Sequence, residues 1–315
     1  MTLLRQLVRA GARTLAGAGV DSADVDAVEL AAHVLGIEAA ELRRRMVLGG
    51  ELPSSFERTY AAHLDERARR VPLQHLTGRG HFRYLTLALG PGVFLPRPET
   101  EVLVGLALAE IDRLAGPGGP VARTSGVGGI RLVDLCTGSG AIAFAVKQER
   151  PGVAVRGLEL SEPALAWARR NRTRLGLEVD LVRGDATQPC FVDWSGTVDV
   201  VTVNPPYIPV GAVPVDPEVR DHDPELALYG GSADGLALPV RIARVAATLL
   251  RPGGLLLMEH ADAQGEALPA ALTAAGTWGQ VTDHPDLAGR PRVTSARAAG
   301  PGAGPSVRAR LPSHE

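Results

Sequence analysis

The chain has 315 residues, 45% hydrophobic and 22% charged, a globular composition that excludes a collagen, a coiled coil and a wholly disordered chain. The length suits two domains or one large one, and a net charge of −2 predicts no general affinity for nucleic acid or anionic membrane. Two cysteines, Cys136 and Cys190, and scattered histidines exclude a disulfide framework and a four-ligand zinc site, so no metal is expected and the expected compartment is the reducing cytoplasm.

No apolar stretch is long enough to span a membrane, and the start lacks the apolar core of a secretory signal. Arg5, Arg9 and Arg13 without acids give a faint transit-peptide pattern, but an amphipathic first helix accounts for them better. Residues 1–70 read as helices. Leu4, Leu7, Val8, Ala12 and Leu15 share one face, weakened by Gly11, and Val25, Val28, Ala31, Ala32 and Leu35 share the next. Further helices are expected at 39–47 and 54–70. Arg43-Arg44-Arg45 and Arg67-Ala-Arg69-Arg70 read as solvated helix faces, or else as docking patches for an acidic partner.

Residues 71–98 carry turn residues between short apolar runs and suggest a hairpin linker. A helix over 99–115 and a Gly/Pro-rich loop from Gly116 to Gly129 follow. From Ile130 apolar strands alternate with helices. Strands are expected at 130–135, 153–160, 179–183, 198–203 and 254–259, and helices at 141–149, 162–175, 236–250 and 263–275. This alternation predicts an α/β domain with a mainly parallel, doubly wound sheet over 99–297. Residues 298–315 lack periodicity and read as a disordered tail.

Ligands of doubly wound sheets sit at the carboxyl ends of the strands. The first strand of this pattern ends in Asp134-Leu-Cys136-Thr137-Gly138-Ser139-Gly140-Ala141, a glycine turn that lets backbone approach a ligand. Nineteen residues after Gly140 comes Glu159, an acid placed to accept the two hydroxyls of an adenosine ribose. Gly138-x-Gly140-x-x-Ala143 formally fits the dinucleotide fingerprint, a weak signal alone. Asp134 favours S-adenosyl-L-methionine instead, because it can pair with an ammonium and would repel a pyrophosphate. Asp185 and Ala186, after the third strand, are placed to meet the adenine.

The fourth strand leads into Asn204-Pro205-Pro206-Tyr207, a tetrapeptide expected by chance in roughly one chain in a thousand of this length. Its prolines force a rigid extended turn. A planar amide or amino nitrogen is a poor nucleophile. The Asn204 side-chain oxygen and the Pro205 carbonyl are two acceptors that can grip its N–H groups and aim its lone pair at a methyl donor. Tyr207 can stack on the planar group and offer its ring face to a sulfonium.

With these motifs the chain resembles the peptide-chain release factor N5-glutamine methyltransferases, the HemK or PrmC family, over roughly residues 1–297. Further matching stretches are Pro72 to Gly78, Phe94-Leu-Pro-Arg-Pro-Glu-Thr-Glu101, Glu259-His260 with Gln264, the run from Asp221 to Leu236, and Asp286 to Arg292. The resemblance implies a helical N-terminal domain, a β-hairpin linker and a seven-stranded, Rossmann-like class I methyltransferase domain. It implies S-adenosyl-L-methionine against residues 136–140, Glu159 and Ala186. The implied substrate is the glutamine of the Gly-Gly-Gln loop in bacterial release factors, held by Asn204 to Tyr207. Cys136 stands where glycine is usual, and a left-handed backbone is not expected to be required there. Glu159 replaces the usual aspartate, and Ser232 adds a residue to a Gly-Gly-x-Asp-Gly run.

Other classes carry the same tetrapeptide. An adenine-N6 methyltransferase must grip phosphates, and the acids Asp216, Glu218, Asp221, Asp223 and Glu225 oppose that. The segment 207–235 is long and reads as a lid. A glutamine methyltransferase for a ribosomal protein is the sister reading. A non-enzymatic binding module would predict a broken Asn204 or glycine turn, and neither is broken.

Overall fold

The computed structural model describes residues 2–116 and 129–299, so most of the Gly/Pro-rich loop and nearly all of the expected tail lie outside the described residues. The chain divides into two units, one built from residues up to Gly80 with Ala88–Leu95 and Val213–Asp223, the other from His81–Leu87, Pro96–Ala212 and residues from Pro224 on.

The first unit is helical: α1 Leu3–Gly17, α2 Ala23–Leu35, α3 Ala39–Leu48, α4 Phe56–Ala68 and the short α5 Leu73–Thr77. The Thr2 hydroxyl caps α1 by accepting from the Arg5 N–H. Leu4, Val8, Ala12 and Leu15 bury against Leu30, Phe56 and Tyr60. Gly11, which looked like a flaw in the helix, lies where α1 and α4 come closest. A Cβ there would sit 2.5 Å from the Tyr60 hydroxyl and 2.9 Å from Leu64.

In the cluster at Arg67 to Arg70, Arg69 is exposed as a solvated face requires, whereas Arg67 and Arg70 are paired. Arg67 is 4% exposed and donates to Asp26 at 2.7 Å and to Glu218 at 2.8 Å. Arg70 also pairs with Glu218, at 2.9 Å. Glu218 lies on α9, Pro217–His222. Arg67 and Asp26 therefore neutralise one another where water is excluded, and removing one partner of such a buried pair costs about 3–5 kcal/mol. In the other cluster, Arg44 and Arg45 pair with Glu41 at 2.7 and 2.8 Å.

The expected hairpin forms from β1 Arg79–Phe82 and β2 Leu85–Ala88. The second unit is a seven-stranded sheet in the order β5-β4-β3-β6-β7-β9-β8. Its strands are β3 Arg131–Leu135, β4 Ala154–Glu159, β5 Asp180–Arg183, β6 Val198–Val203, β7 Leu250–Glu259, β8 Trp278–Pro285 and β9 Pro291–Ala298. Strands β3 to β7 are parallel, and β9 runs antiparallel to both β7 and β8. Helices α6 Thr100–Ala115, α7 Ala141–Glu149, α8 Glu162–Leu175, α10 Ala237–Leu249 and α11 Ala267–Ala274 cover it. Every residue of β6 is buried, which explains its unbroken apolar run.

The last two strands escape periodicity. β8 is an edge strand with only Trp278 fully buried, and β9 buries the polar Thr294 and Ser295. Between them, the Asp286 carboxylate accepts from Ala288 N and Arg290 N, so the stretch from Asp286 to Arg292 makes their turn. β9 reaches Ala298, the first residue of the expected tail. Strand order reverses at β3, between β4 and β6, which puts the carboxyl ends of these strands at the switch point where doubly wound sheets bind ligands.

Candidate active site

The turn after β3 is built by a buried carboxylate. Asp134 is fully buried and accepts hydroxyl hydrogen bonds from Thr137 at 2.5 Å and Thr202 at 2.8 Å. Burial pushes its carboxyl up to about 7 against those two donors. Sequence reading aimed Asp134 at a ligand ammonium. The structure instead gives both its oxygens to threonines that fasten the turn. Thr137 and Ser139 are buried as well, and the Ser139 carbonyl accepts from Asn171. Cys136 and Gly138 are the turn residues with open surface.

Both of the glycines read as a fingerprint are left-handed, for different reasons. At Gly140, φ is +86° and a Cβ would lie 2.1 Å from the Phe144 ring. At Gly138, φ is +56° and a Cβ would meet nothing within 4 Å, so backbone there borders free space. Cys136 corrects an expectation: its φ is +61°, in the region that favours glycine. A side chain is tolerated because it packs against the core cluster of the sheet. Burial and the nearby Glu159, Asp134 and Asp185 carboxylates raise the thiol well above its ordinary value, so it stays neutral and un-nucleophilic.

Glu159, at the end of β4, also does more than expected. Its oxygens accept from Gly138 N and Ser161 N, both at 2.8 Å. Its longer arm thereby props the glycine turn while leaving lone pairs for a diol. Burial raises its carboxyl despite these N–H donors. Asp185 accepts from the backbone N–H and hydroxyl of Thr187, beside the buried Ala186. The carboxylates of Glu159, Asp134 and Asp185 all act on position 136. This electronegative cradle fits a cationic sulfonium and opposes a pyrophosphate.

Asn204-Pro205-Pro206-Tyr207 follows β6, the immediate neighbour of β3. Pro205 is buried, and Asn204, Pro206 and Tyr207 are half-buried. The Tyr207 backbone is clamped. Gln264 Nε2 donates to its carbonyl at 2.9 Å and to the Asp234 carbonyl at 2.8 Å, while Gln264 Oε1 accepts from Ala261 N. Gly235, φ +74°, faces the same spot, and a Cβ there would lie 2.0 Å from the Tyr207 oxygen. The extra residue Ser232 does not open this loop. Its hydroxyl donates to Asp234 and accepts from Ala237 N.

Three residues beside the tetrapeptide carried no role in the sequence reading. Asn204 Nδ2 lies 3.4 Å from Thr100 Oγ1, and the Tyr207 hydroxyl lies 3.4 Å from Glu259 Oε1. Glu259 is a fully buried carboxyl that burial pushes up to about 7. Glu101, next to Thr100, accepts from Arg83 N at the hairpin turn. The signal was present in the matching stretches that hold Thr100, Glu259 and Gln264, but only packing shows what they touch. The acids after Tyr207 turned out to be structural in part. Asp216 and Glu218 pair with Arg70, and Glu218 also with Arg67.

This fold and cradle define a class I methyltransferase of the S-adenosylmethionine-dependent kind. Residues 6–78 match the PrmC N-terminal domain model, and residues 127–289 match a methyltransferase domain model. The chain is similar to the release factor glutamine methyltransferase of Streptomyces coelicolor, at 47% identity over 96% of this chain and all of that one. That of Mycolicibacterium smegmatis is 44% identical over 95% of this chain and 99% of its own. A 4-amino-L-phenylalanine/4-methylamino-L-phenylalanine methyltransferase of Streptomyces pristinaespiralis is 38% identical over 86% of this chain and 87% of its own. The chain belongs to the release factor glutamine methyltransferase family.

Proposed function

We propose that the protein methylates the side-chain amide nitrogen (N5) of the glutamine in the Gly-Gly-Gln loop of peptide chain release factors, with S-adenosyl-L-methionine as donor. The observation that carries this reading is an intact Asn204-Pro205-Pro206-Tyr207 turn one strand away from an electronegative cradle with free space at Gly138. Near-full-length similarity to release factor glutamine methyltransferases supports the choice of substrate.

When bound, S-adenosyl-L-methionine supplies an electrophilic methyl on a sulfonium. Glu159 would accept from the ribose hydroxyls, Asp185 and Ala186 would flank the adenine, and Cys136 to Gly140 would line the remainder. Asn204 Oδ1 and the Pro205 carbonyl would accept the two N–H groups of the glutamine amide. That grip favours a tetrahedral nitrogen whose lone pair points at the methyl. Pro206 and Tyr207 would hold the flat amide in place. The nitrogen–carbon bond forms as the carbon–sulfur bond breaks, and the nitrogen then releases its proton to water. The chain contributes positioning rather than a strong base.

In this reading residues 1–70 dock the protein substrate, 71–98 link, and 99–297 carry out the transfer in the cytoplasm. A chain starting near Val71 should bind cofactor yet methylate an intact release factor poorly. The direct test incubates the protein with a release factor and methyl-labelled S-adenosyl-L-methionine and maps the label. Label on the glutamine of Gly-Gly-Gln, lost with Asn204→Ala, is expected. Label on an adenine, on a ribosomal protein or on a free aromatic amine, with none on the release factor, overturns it.

A further inference from the structure

The prolines of the Asn204 to Tyr207 turn fix φ at 205 and 206 but leave ψ open. The Pro205 carbonyl is backbone, so it has no rotamer with which to correct an error in the path of the chain. The turn therefore needs a hold at its far end. That end is the peptide joining Tyr207 to Ile208. Its N–H donates to the Leu228 carbonyl at 2.7 Å, and its carbonyl accepts from Gln264 Nε2 at 2.9 Å. Gly235 closes in on the same carbonyl, where a Cβ would lie 2.0 Å from the oxygen.

Gln264 is 5% exposed and ends the short turn Asp262–Gln264 after β7. A side-chain amide has two N–H donors and one carbonyl acceptor. Here Nε2 serves both Tyr207 and the Asp234 carbonyl, the latter at 2.8 Å, and Oε1 takes the Ala261 N–H at 3.0 Å. All three partners are backbone groups, whose donor or acceptor character cannot change, so the amide has one permitted orientation. The Ala261 peptide is anchored in turn, its carbonyl 2.8 Å from Nδ1 of the buried His260. Asp234 belongs to the returning end of the segment 207–235. Across the base of that segment Gly230 N donates to the Ile208 carbonyl at 2.9 Å and Val210 N to the Ser232 carbonyl at 2.8 Å. Without the Gln264 NH2, the Tyr207 and Asp234 carbonyl oxygens would converge with no donor between them. We propose that Gln264 is a positioning residue for the methyl transfer: its NH2 holds the 207–208 peptide plane and so sets the direction from which Asn204 and the Pro205 carbonyl meet the substrate amide. This inference rests on the role given above to Asn204 and Pro205.

Steady-state kinetics of the full chain with a release factor test it between about pH 6 and pH 9, each variant taken as a ratio to the unaltered enzyme at the same pH. Gln264→Glu keeps the shape and Oε1 but loses the NH2. Ionised, its carboxylate faces two carbonyl oxygens with nothing to donate, and those surroundings raise the carboxyl. Protonated, it has one O–H to give back. Expected is a kcat ratio of about 0.1 or lower near pH 9, as for a misplaced reacting geometry. The ratio should recover by at least about threefold by pH 6, as the new carboxyl takes up its proton. Gln264→Met, of similar length and without a donor, should lose about tenfold or more at every pH. S-adenosylhomocysteine affinity should stay within about threefold in both, because the cradle for it lies at the ends of β3 and β4. A Gln264→Met kcat within about threefold of the unaltered enzyme, or a Gln264→Glu ratio that does not move with pH, overturns the proposal. So does loss of S-adenosylhomocysteine binding in both variants, which would make Gln264 a support of the whole fold. If one variant alone loses that binding, the other decides by its own criterion. Asn204→Ala, assayed alongside, separates the two failures. Full kcat there ends the substrate grip and this inference with it, whereas a lost kcat there beside an unmoved Gln264→Met ends the positioning role alone.

Discussion

Cys136→Gly isolates the backbone demand of the cofactor turn. Cys136 has φ +61°, and a left-handed backbone costs a residue with a side chain about 1–2 kcal/mol. Glycine relieves that strain. Against this, glycine gains unfolded-chain entropy worth about 0.5–1 kcal/mol. It also forfeits a half-buried sulfur packed on the sheet core, worth about 1 kcal/mol. The terms nearly cancel, so stability should change by no more than about 1 kcal/mol in either direction. Cys136→Ala keeps the strain and loses the sulfur, and should be the less stable of the two. Cys136→Val, branched at Cβ in a left-handed backbone, should be the worst. Urea denaturation of the three variants gives the order, and methylation assays give the function. With the thiol held neutral by burial and by Glu159, kcat should survive in Cys136→Gly. A loss above about 2 kcal/mol in Cys136→Gly would refute the strain argument. Complete inactivation of a folded Cys136→Gly would give the thiol a chemical role.

Gly140→Ala should be far more damaging than Gly138→Ala. The first drives a Cβ to 2.1 Å from the Phe144 ring at φ +86°, whereas the second meets open space and bears only the φ strain. Equal denaturation midpoints would contradict that geometry. Glu159→Ala should weaken S-adenosylhomocysteine binding by at least about 1.5–3 kcal/mol, as for hydrogen bonds to a charged group, since it loses the Gly138 support as well as the ribose contacts. Calorimetry measures this, and the same experiment should show no heat with NAD. The ligand-free protein should be most stable near about pH 4–5. Burial opposes ionisation of Glu110, but Arg297 and Arg113 outweigh it and hold the carboxyl at about 2, so its contribution is lost as pH falls below about 4.5. Asp134 and Glu259 are raised to about 7 in the folded chain, so the folded state holds their protons longer and stability declines as pH rises from about 4 to 7. A urea midpoint that climbs steadily from about pH 5 to pH 8 would be the wrong sign. Tyr207→Ala should abolish most activity. Tyr207→Phe keeps the ring but withdraws one hydroxyl from the buried Glu259, and a several-fold loss is expected.

Local chemistry made much of this protein legible from its residues. The helices over 141–149 and 162–175 and the strand over 198–203 fall where apolar spacing places them, because each buries one face or all of itself. The glycine turn, Glu159 and Asn204 to Tyr207 were legible for the same reason: each depends on groups adjacent in the chain or at the end of a strand. What the sequence left open depends on partners far along the chain. β8 and β9 carry polar residues that only the sheet edge and its neighbours make acceptable. Arg67 looked like a surface charge until Asp26 and Glu218 came within 2.8 Å of it. Asp134 looked aimed at a ligand until Thr202, 68 positions away, took one of its oxygens. The left-handed Cys136 could not be read at all, because backbone angle there is set by the whole turn. Periodicity and turn chemistry act over a few residues and are written in the order of the chain. Which buried polar group satisfies which is set by the closure of the fold, so only the tertiary structure brought Thr100 to the side of Asn204 and Glu259 to the hydroxyl of Tyr207.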